Sequence, residues 1–287
     1  MKIDEPIFKD KGERIDWYIE NQSHIVAMKK MHIKHADAVN CNFFPPVFMQ
    51  EKALKSFEDW AIRNFKDKGI ELKENQIFIS PVINTTNVLD SHGDVHLDGL
   101  WNKSLKEQKY CYLNNIHKQT FEDIISVDVK PYVIETDFKT LGYNFAGKTQ
   151  VLIYDVIIDE FSPFDKSQKT KLYDGYKDNL IWNHSVEMRY KDILLGINDS
   201  RYPENKEIFD ELIQNVHNVN KDEVEEFDMI WFVKQAQHLG GAGVPHGSNQ
   251  FTPNTISIAA DKGTLDIENQ PSADTDKENK TLNLNFY

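Results

Sequence analysis

The stretch NHSVEMRY, residues 183–190, places a single serine inside an alternating pattern of apolar and polar side chains. Such alternation is typical of a β-strand, in which successive side chains point to opposite faces. Val186 and Met188 would share one face of this strand, and Ser185 and Glu187 the other. The stretch alone leaves two interpretations of the serine open: a hydrogen-bonded structural residue, or a nucleophile held on a rigid element.

The bulk composition narrows the class of protein. The chain has 287 residues, of which 40% are hydrophobic, enough for one large domain or two small ones. Its net charge of −13 argues against binding to nucleic acid or to an anionic membrane. The charged N-terminal residues are unlike a signal peptide, and we expect no transmembrane helix. Two cysteines, Cys41 and Cys111, offer no disulfide framework and suit a reducing cytosol.

Hydrophobic periodicity predicts a fold that is mainly β with helices, of the α+β class. Residues 149–159 are almost continuously apolar, which predicts a strand buried on both faces, whereas Pro81 indicates an edge strand or a bulge. The predicted strands are residues 76–84, 130–135, 149–159, 181–190 and 229–237. The predicted helices are residues 16–34, residues 51–68 and a helix that begins at Pro203.

These elements suggest three regions along the chain. Residues 1–70 are expected to form a partly helical N-terminal extension, and residues 71–262 the main domain. Residues 263–287 are rich in acidic and polar side chains and have almost nothing to bury, so we expect a disordered acidic tail.

A polar cluster, DSHGDVHLD at residues 90–98, is the first candidate site. Histidines and carboxylates that alternate on one strand face can bind zinc or another divalent ion. A turn is the competing interpretation, because Gly93 and Gly99 punctuate the segment. We favour the turn and predict no metal, because no closing ligand or zinc motif occurs elsewhere in the sequence.

His117 is the second candidate, because a serine nucleophile needs a base that accepts its proton near neutral pH. Cys111 lies six residues earlier, so a Cys–His pair is conceivable, although a buried apolar role is the simpler one. His184 would face the side of its strand opposite to Ser185 and is expected to pack structurally.

Much of the chain, roughly residues 29 to 255, resembles the prohead (capsid maturation) serine proteases of tailed bacteriophages. Six segments carry this resemblance, and they occur in the order typical of that family. They are KKMHIKHADAV (29–39), VINTTNVLDSHGDVHLDGLWNKSL (82–105), the segment around His117, LGYNFAGKTQVLIYD (141–155), NHSVEMRYKDILLGIN (183–198) and WFVKQAQHLGGAGVPHGSNQFTP (231–253).

The resemblance implies a fold like that of the herpesvirus assemblin proteases: a closed β-barrel flanked by α-helices. It implies that Ser185 is the nucleophile and His117 the general base, with no cofactor. It also implies a structural or substrate-binding role for Asp90, His92, Gly93 and Asp94. Dimers are common in that fold, but no interface is visible in this sequence.

The resemblance also implies a biology. Such enzymes act in the host cytoplasm inside the immature capsid, or prohead. Their substrates are the major capsid protein and the scaffold protein, and they often cleave themselves. The expected tail at residues 263–287 would be an accessible self-cleavage site.

Two positions depart from the family pattern. The family usually has glycine at the position of Glu187 and glutamate at the position of Gly240. That glutamate is a plausible third catalytic residue, which orients the histidine. The carboxylate could have moved to Glu187, with a glycine on the facing strand leaving room for it. Alternatively, His238, expected on the same strand face as Gly240, could complete a Ser-His-His site.

A third possibility is a weakened or inactive relative that keeps a structural role in capsid assembly. For an active enzyme, the glycines at Gly240 and Gly241 are expected to form a loop that contributes to an oxyanion hole or binds substrate.

Overall fold

The computed structural model describes residues 5–35, 51–143, 145–219, 224, 227–253 and 257–259. They form a mixed α/β fold with two β-sheets. The expected acidic tail lies outside the described residues, and the closed barrel and the domain boundaries remain predictions. No helix in the described part of the chain combines the length and the apolar character needed to cross a membrane.

The first sheet is organised around two long antiparallel strands, β9 and β10, and contains the stretch 183–190. Its strands run in the order β1-β9-β10-β5-β6, and β4 pairs in parallel with β10. The bounds are Lys34–His35 for β1, Asp94–His96 for β4, Leu113–Asn115 for β5, Ile124–Ser126 for β6, Asn183–Ile197 for β9 and Met229–Val244 for β10. The predicted strands at 181–190 and 229–237 are therefore confirmed, and both continue further toward the C-terminus.

The second sheet is organised around β8, which is buried on both faces over most of its length, as its apolar sequence predicts. Its order is β11-β2-β8-β3, and β7 also pairs with β8. The bounds are Gln76–Ile79 for β2, Val82–Thr85 for β3, Asp128–Asp137 for β7, Lys148–Asp159 for β8 and Ile258–Ala259 for β11.

The strand predicted over residues 76–84 pairs with β8 along its length, but it is divided at Pro81, where the sequence indicated an edge or a bulge. The chain forms β2 and β3, which are separated at Ser80 and Pro81. Proline has no N–H to donate to a ladder, and it therefore interrupts the pairing with β8. The Pro81 carbonyl still accepts a hydrogen bond from the Tyr154 N–H, at 3.1 Å.

The helices surround the sheets, with bounds Lys11–Glu20 for α1, Gln22–Met31 for α2, Glu51–Asp67 for α3, Asn102–Glu107 for α4, Tyr173–Lys177 for α5 and Pro203–Ile213 for α6. The predictions for α3 and α6 are confirmed. The single helix predicted over 16–34 is two helices, because Asn21 leaves the helical conformation and caps the end of α1. Its side-chain amide donates to the Trp17 carbonyl at 2.8 Å.

The largest apolar core joins both sheets and the N-terminal helices. Val186 and Met188 of β9 pack in the same cluster as Tyr154 of β8 and as Ile15 and Ile25 of α1 and α2. In addition, β1 pairs with β9 beside Glu187 and Met188. The N-terminal helices thus support the strand that carries Ser185.

Candidate active site

Ser185 lies in the middle of the first sheet. It pairs with Ala242 of β10, and Ala242 pairs on its other side with Asn114 of β5. The serine and the end of β5 are therefore separated by one intervening strand, or about 10 Å between backbones. Ser185 is 2% exposed, and its Oγ makes no hydrogen bond to the described residues.

His117 lies just beyond β5, on a turn with unusual backbone geometry. Ile116 has a φ of 50° and His117 a φ of 55°, a left-handed conformation that is uncommon for non-glycine residues and an outlier for a β-branched one. The turn is held by Asn115, whose amide donates to Asp123 Oδ1 at 2.9 Å. Lys171 donates to the same oxygen at 2.9 Å, and these hydrogen bonds hold the pKa of Asp123 below its usual range. Strained residues of this kind concentrate at functional sites.

The Glu187 carboxylate reaches His117. Glu187 Oε1 lies 3.2 Å from His117 Nδ1 and accepts a hydrogen bond from Asn114 Nδ2 at 3.0 Å. Its other oxygen accepts from Gln119 Nε2 at 3.4 Å. Glu187 is fully buried, so these bonds and the imidazole compensate a charge that would otherwise be costly to remove from water.

Gly240 provides the space for this carboxylate. Gly240 is the direct cross-strand partner of Glu187, so both positions face the same side of the sheet. A Cβ atom added to Gly240 would lie 3.4 Å from Glu187 Oε2. The Glu187 side chain therefore lies over the glycine and crosses β10 toward β5 and His117.

His238 is not on the face expected from simple alternation. A β-bulge at Leu239 shifts the register, so that His238 pairs with Met188 whereas Gly240 pairs with Glu187. Because Met188 and Glu187 are consecutive, their side chains point to opposite faces. His238 therefore faces away from the carboxylate, and the expectation that it shares a face with Gly240 was wrong.

The surroundings of His238 give it a structural role instead. Its ring packs edge-on against Trp101 and Tyr154, at centroid distances of 5.6 and 5.5 Å. Nδ1 lies 2.6 Å from Gln108 Oε1, and Nε2 shares a hydrogen bond with the Tyr154 hydroxyl. Burial lowers the pKa of His238 to about 3. A neutral imidazole with both nitrogens engaged is a satisfied core group.

The expected glycine loop is also absent, because Gly240 and Gly241 lie inside strand β10. The Gly241 N–H donates to the Tyr112 carbonyl at 3.3 Å, so it is already used within the sheet. A Cβ atom at Gly241 would come within 2.8 Å of the Tyr154 ring. Gly241 is thus required for packing on the face opposite to Glu187.

The Asp90–Asp94 segment forms a tight turn before β4. Asp90 Oδ1 accepts hydrogen bonds from the His92 and Asp94 N–H groups, at 2.8 and 3.0 Å, and Gly93 has a φ of 74°. Burial and the neighbouring Asp94 raise the pKa of Asp90 to about 6. This geometry agrees with the turn interpretation, and within the described residues no three His, Cys, Asp or Glu side chains are grouped to hold a metal.

Asp94 connects this turn to the N-terminal helices. Its buried carboxylate forms an ion pair with Lys29 of α2 at 2.6 Å and accepts a hydrogen bond from the Tyr190 hydroxyl at 2.8 Å. These two contacts of Asp94 therefore anchor α2 to the first sheet.

His184 and Cys111 are both buried. His184 Nε2 lies 3.0 Å from the Tyr176 hydroxyl, and burial lowers the pKa of His184 to about 3. Burial raises the pKa of the Cys111 thiol to about 12, so this cysteine is protonated at neutral pH and a poor nucleophile.

Asn114 and Gln119, two contributors to the site, were missed from the sequence. Asn114 contacts Glu187 only because β5 pairs in parallel with β10, a register between residues more than 100 positions apart. The sequence YLNNIHKQ does place amides on both sides of His117. That local enrichment is the one signal that could have indicated them.

The arrangement can support proton transfer. An imidazole that donates from Nδ1 to a carboxylate keeps its Nε2 as an acceptor, which is the tautomer a general base requires. Comparison with family models, curated proteins and solved structures gave no match. The functional interpretation therefore depends on the residues and their geometry.

Proposed function

We propose that this chain is a serine endopeptidase that processes capsid and scaffold proteins during phage prohead maturation. The observation that carries the proposal is the buried contact between His117 Nδ1 and Glu187 Oε1, supported by the Asn114 and Gln119 amides. Ser185 shares a strand face with Glu187 and belongs to the same sheet as β5. In this chain Glu187 and Gly240 stand where the family usually has glycine and glutamate, respectively. In this proposal the carboxylate has moved from the β10 position to the facing position on β9.

The reaction is acyl transfer to Ser185. His117 accepts the proton of the Ser185 hydroxyl as its oxygen attacks the peptide carbonyl carbon. The tetrahedral intermediate collapses, His117 returns the proton to the leaving amine, and an ester to Ser185 remains. Water, deprotonated by His117, hydrolyses the ester and regenerates the serine. Glu187 stabilises the imidazolium formed in each half of the cycle.

The burial of Ser185 means that this conformation is closed to substrate. A peptide carbonyl must come into contact with Oγ, so residues around Ser185 have to move when substrate enters. Closed sites of this kind assemble their catalytic hydrogen bonds in the substrate complex, and the Ser185–His117 contact forms at that stage.

The architecture is compatible with an assemblin-like barrel. The serine and histidine are carried by the same sheet, the apolar core joins both sheets, and helices pack outside. The substrates are the major capsid protein and the scaffold protein, and the site of action is the prohead. The residue 263–287 tail is the proposed self-cleavage target, and a homodimer is the assembly typical of the fold.

A second candidate function is favoured by the same Ser185 geometry. Because its Oγ makes no hydrogen bond to the described residues, the chain could be a catalytically inactive relative that acts as a structural component of capsid assembly.

Covalent labelling separates the two candidates. Purified protein is treated with a small fluorophosphonate, which reacts with activated serines, and the adduct is located by mass spectrometry. The protease proposal expects labelling at Ser185 that is lost in Ser185→Ala and His117→Ala. Ser248→Ala is the matched control, because Ser248 is equally buried and its hydroxyl also makes no hydrogen bond to the described residues.

Co-expression with the capsid protein provides the biological readout. Processing by the wild type that is abolished by both active-site variants supports the protease. Unlabelled wild type together with normal, unprocessed capsids favours the structural role and refutes the protease.

A further inference from the structure

A cavity of about 310 Å³ opens beside the candidate active site, at the ends of β9 and β10. One wall includes Asn183, which lies two residues before Ser185 and therefore faces the same side of β9. Another includes Ile116, the residue before His117. This cavity, here called the apolar recess, is thus within about 7 Å of the nucleophile along the strand.

The chemistry of the apolar recess is uniform. None of the described residues that line it carries a charge, and most are aliphatic or aromatic. The lining includes two asparagines, and both amides are already used: Asn115 donates to Asp123, and Asn183 donates to the Pro245 carbonyl at 2.9 Å. The recess therefore suits an uncharged, apolar group.

Large apolar side chains at its rim remain in water. Leu180 is 67% exposed, Trp182 49% and Ile116 46%. Covering this surface with another apolar group is favourable, because each square ångström removed from water contributes about 25 cal/mol. Exposed apolar surface that converges on a recess is a usual mark of a binding site.

The rim is held in place by a helix-ending motif. After α5, Asn179 adopts a left-handed φ of 57°, the Leu180 N–H donates to the Gly175 carbonyl and the Asn179 N–H to the Tyr176 carbonyl. These two bonds form a Schellman motif, in which a residue at the Leu180 position normally packs against the one at the Gly175 position. Gly175 has no side chain, so the motif fixes the position of Leu180 without the usual packing contact.

We infer that the apolar recess is a specificity pocket that binds one bulky apolar side chain of a substrate polypeptide, close to the scissile bond. The inference rests on the proposed protease function. A substrate whose carbonyl carbon contacts Ser185 Oγ runs past Asn183 or Ile116, and side chains of an extended peptide alternate at about 3.3 Å per residue. One side chain within three residues of the cleaved bond therefore enters the recess.

The test combines two readouts. A library of peptides from a digested proteome is incubated with the enzyme, and new ends are sequenced by mass spectrometry. The wild type is expected to select leucine, isoleucine, methionine or phenylalanine at one fixed position within three residues of the cut. Leu180→Glu should reduce that selection by roughly 10-fold or more, since a pocket that rejects a group by charge or size discriminates on that scale.

Fluorophosphonate labelling of Ser185 is the second readout, and it should be unchanged in Leu180→Glu, because a small probe does not occupy the recess. Val127→Glu is the matched control: it adds the same charge at a similarly exposed apolar residue outside the recess, and it should leave both readouts unchanged. Normal labelling with no positional selection in the wild type, or with selection unaffected by Leu180→Glu, overturns the pocket alone. Absence of labelling in the wild type together with absence of any peptide cleavage overturns the protease function and the pocket together.

Discussion

Moving the carboxylate from Glu187 on β9 to the facing position 240 on β10 tests the role of Glu187 most directly. In Glu187→Gly, His117 Nδ1 loses its contact with the Glu187 carboxylate, so the imidazolium of the proposed reaction is less stabilised. Loss of the orienting carboxylate in serine proteases lowers kcat by about 10,000-fold. That factor corresponds to about 5.5 kcal/mol of transition-state stabilisation.

The double variant Glu187→Gly with Gly240→Glu should recover a large part of this loss. A Cβ atom at position 240 lies 3.4 Å from the present Oε2, so a glutamate there can bring its carboxylate to the same place. The Asn114 and Gln119 donors remain available to it. We expect recovery of roughly 100-fold or more, which is about 2.7 kcal/mol. Gly240→Glu alone places two carboxylates in contact, and their repulsion should lower both activity and Tm.

The assay is the initial rate of cleavage of a peptide that spans the site at which the proposed protease cuts the capsid protein in co-expression, together with Tm from circular dichroism. Glu135→Gly controls for the cost of glycine in a strand, because Glu135 is exposed on β7, which belongs to the second sheet, whereas the site lies on the first. It should reduce Tm slightly and leave the rate unchanged. A folded Glu187→Gly variant with wild-type rate, or a folded double variant with no recovery, would refute the relocation of the carboxylate.

Three further predictions concern the surroundings of the site. Asn114→Ala removes a hydrogen-bond donor to the Glu187 carboxylate and should lower the cleavage rate by roughly 10- to 100-fold, which is the contribution of a hydrogen bond to a charged group. Asn114→Asp should lower the rate further, because it adds a second negative charge beside Glu187. His184 is held neutral by burial at a pKa of about 3, so its contribution to stability is complete above its ordinary pKa of 6.5 and is lost as the pH falls toward 3. Urea denaturation should therefore show a free energy of unfolding that decreases as the pH is lowered, and His184 should contribute up to about 1.4 kcal/mol per pH unit to that decrease. The variant His184→Gln should show a smaller dependence on pH. Lys29→Met removes the cation that pairs with the buried Asp94 and should lower the free energy of unfolding, measured by urea denaturation, by about 3–5 kcal/mol. Adding Asp94→Asn should recover part of that loss. An unchanged denaturation midpoint in Lys29→Met would contradict the proposed anchoring of α2.

The strongly patterned elements of the fold were predictable from sequence. The continuous apolar run of β8, the helical periodicity of α3 and the proline that begins α6 each determine a local structure with little help from the rest of the chain. The turn at Asp90 likewise depends on hydrogen bonds within five residues. Local signals of this kind carry their own geometry.

Two of the features that were mispredicted or missed depend on pairing between distant residues, and the third depends on a local hydrogen bond. The face of His238 was wrong because one extra residue, Leu239, bulges out of β10, and no local pattern indicates it. The contact of Asn114 with Glu187 requires the parallel register of β5 on β10. The helix predicted over residues 16–34 runs through Asn21, because the apolar spacing continues past that residue. In the structure α1 ends there, since the side-chain amide of Asn21 bonds to a carbonyl of the helix.

The burial of Ser185 has a kinetic consequence. If the site opens only rarely, the apparent affinity for any substrate is reduced by the fraction of time that it is open, roughly 100-fold for a site that is open 1% of the time. For the proposed protease, the same factor would suppress cleavage of dilute proteins that are not its substrates. A high local concentration of substrate would restore the rate. The cleavage rate of the proposed protease would therefore depend on the local substrate concentration, because Ser185 is buried. Proteolysis would then be timed by how densely the substrates are assembled around the enzyme, without any dedicated inhibitor.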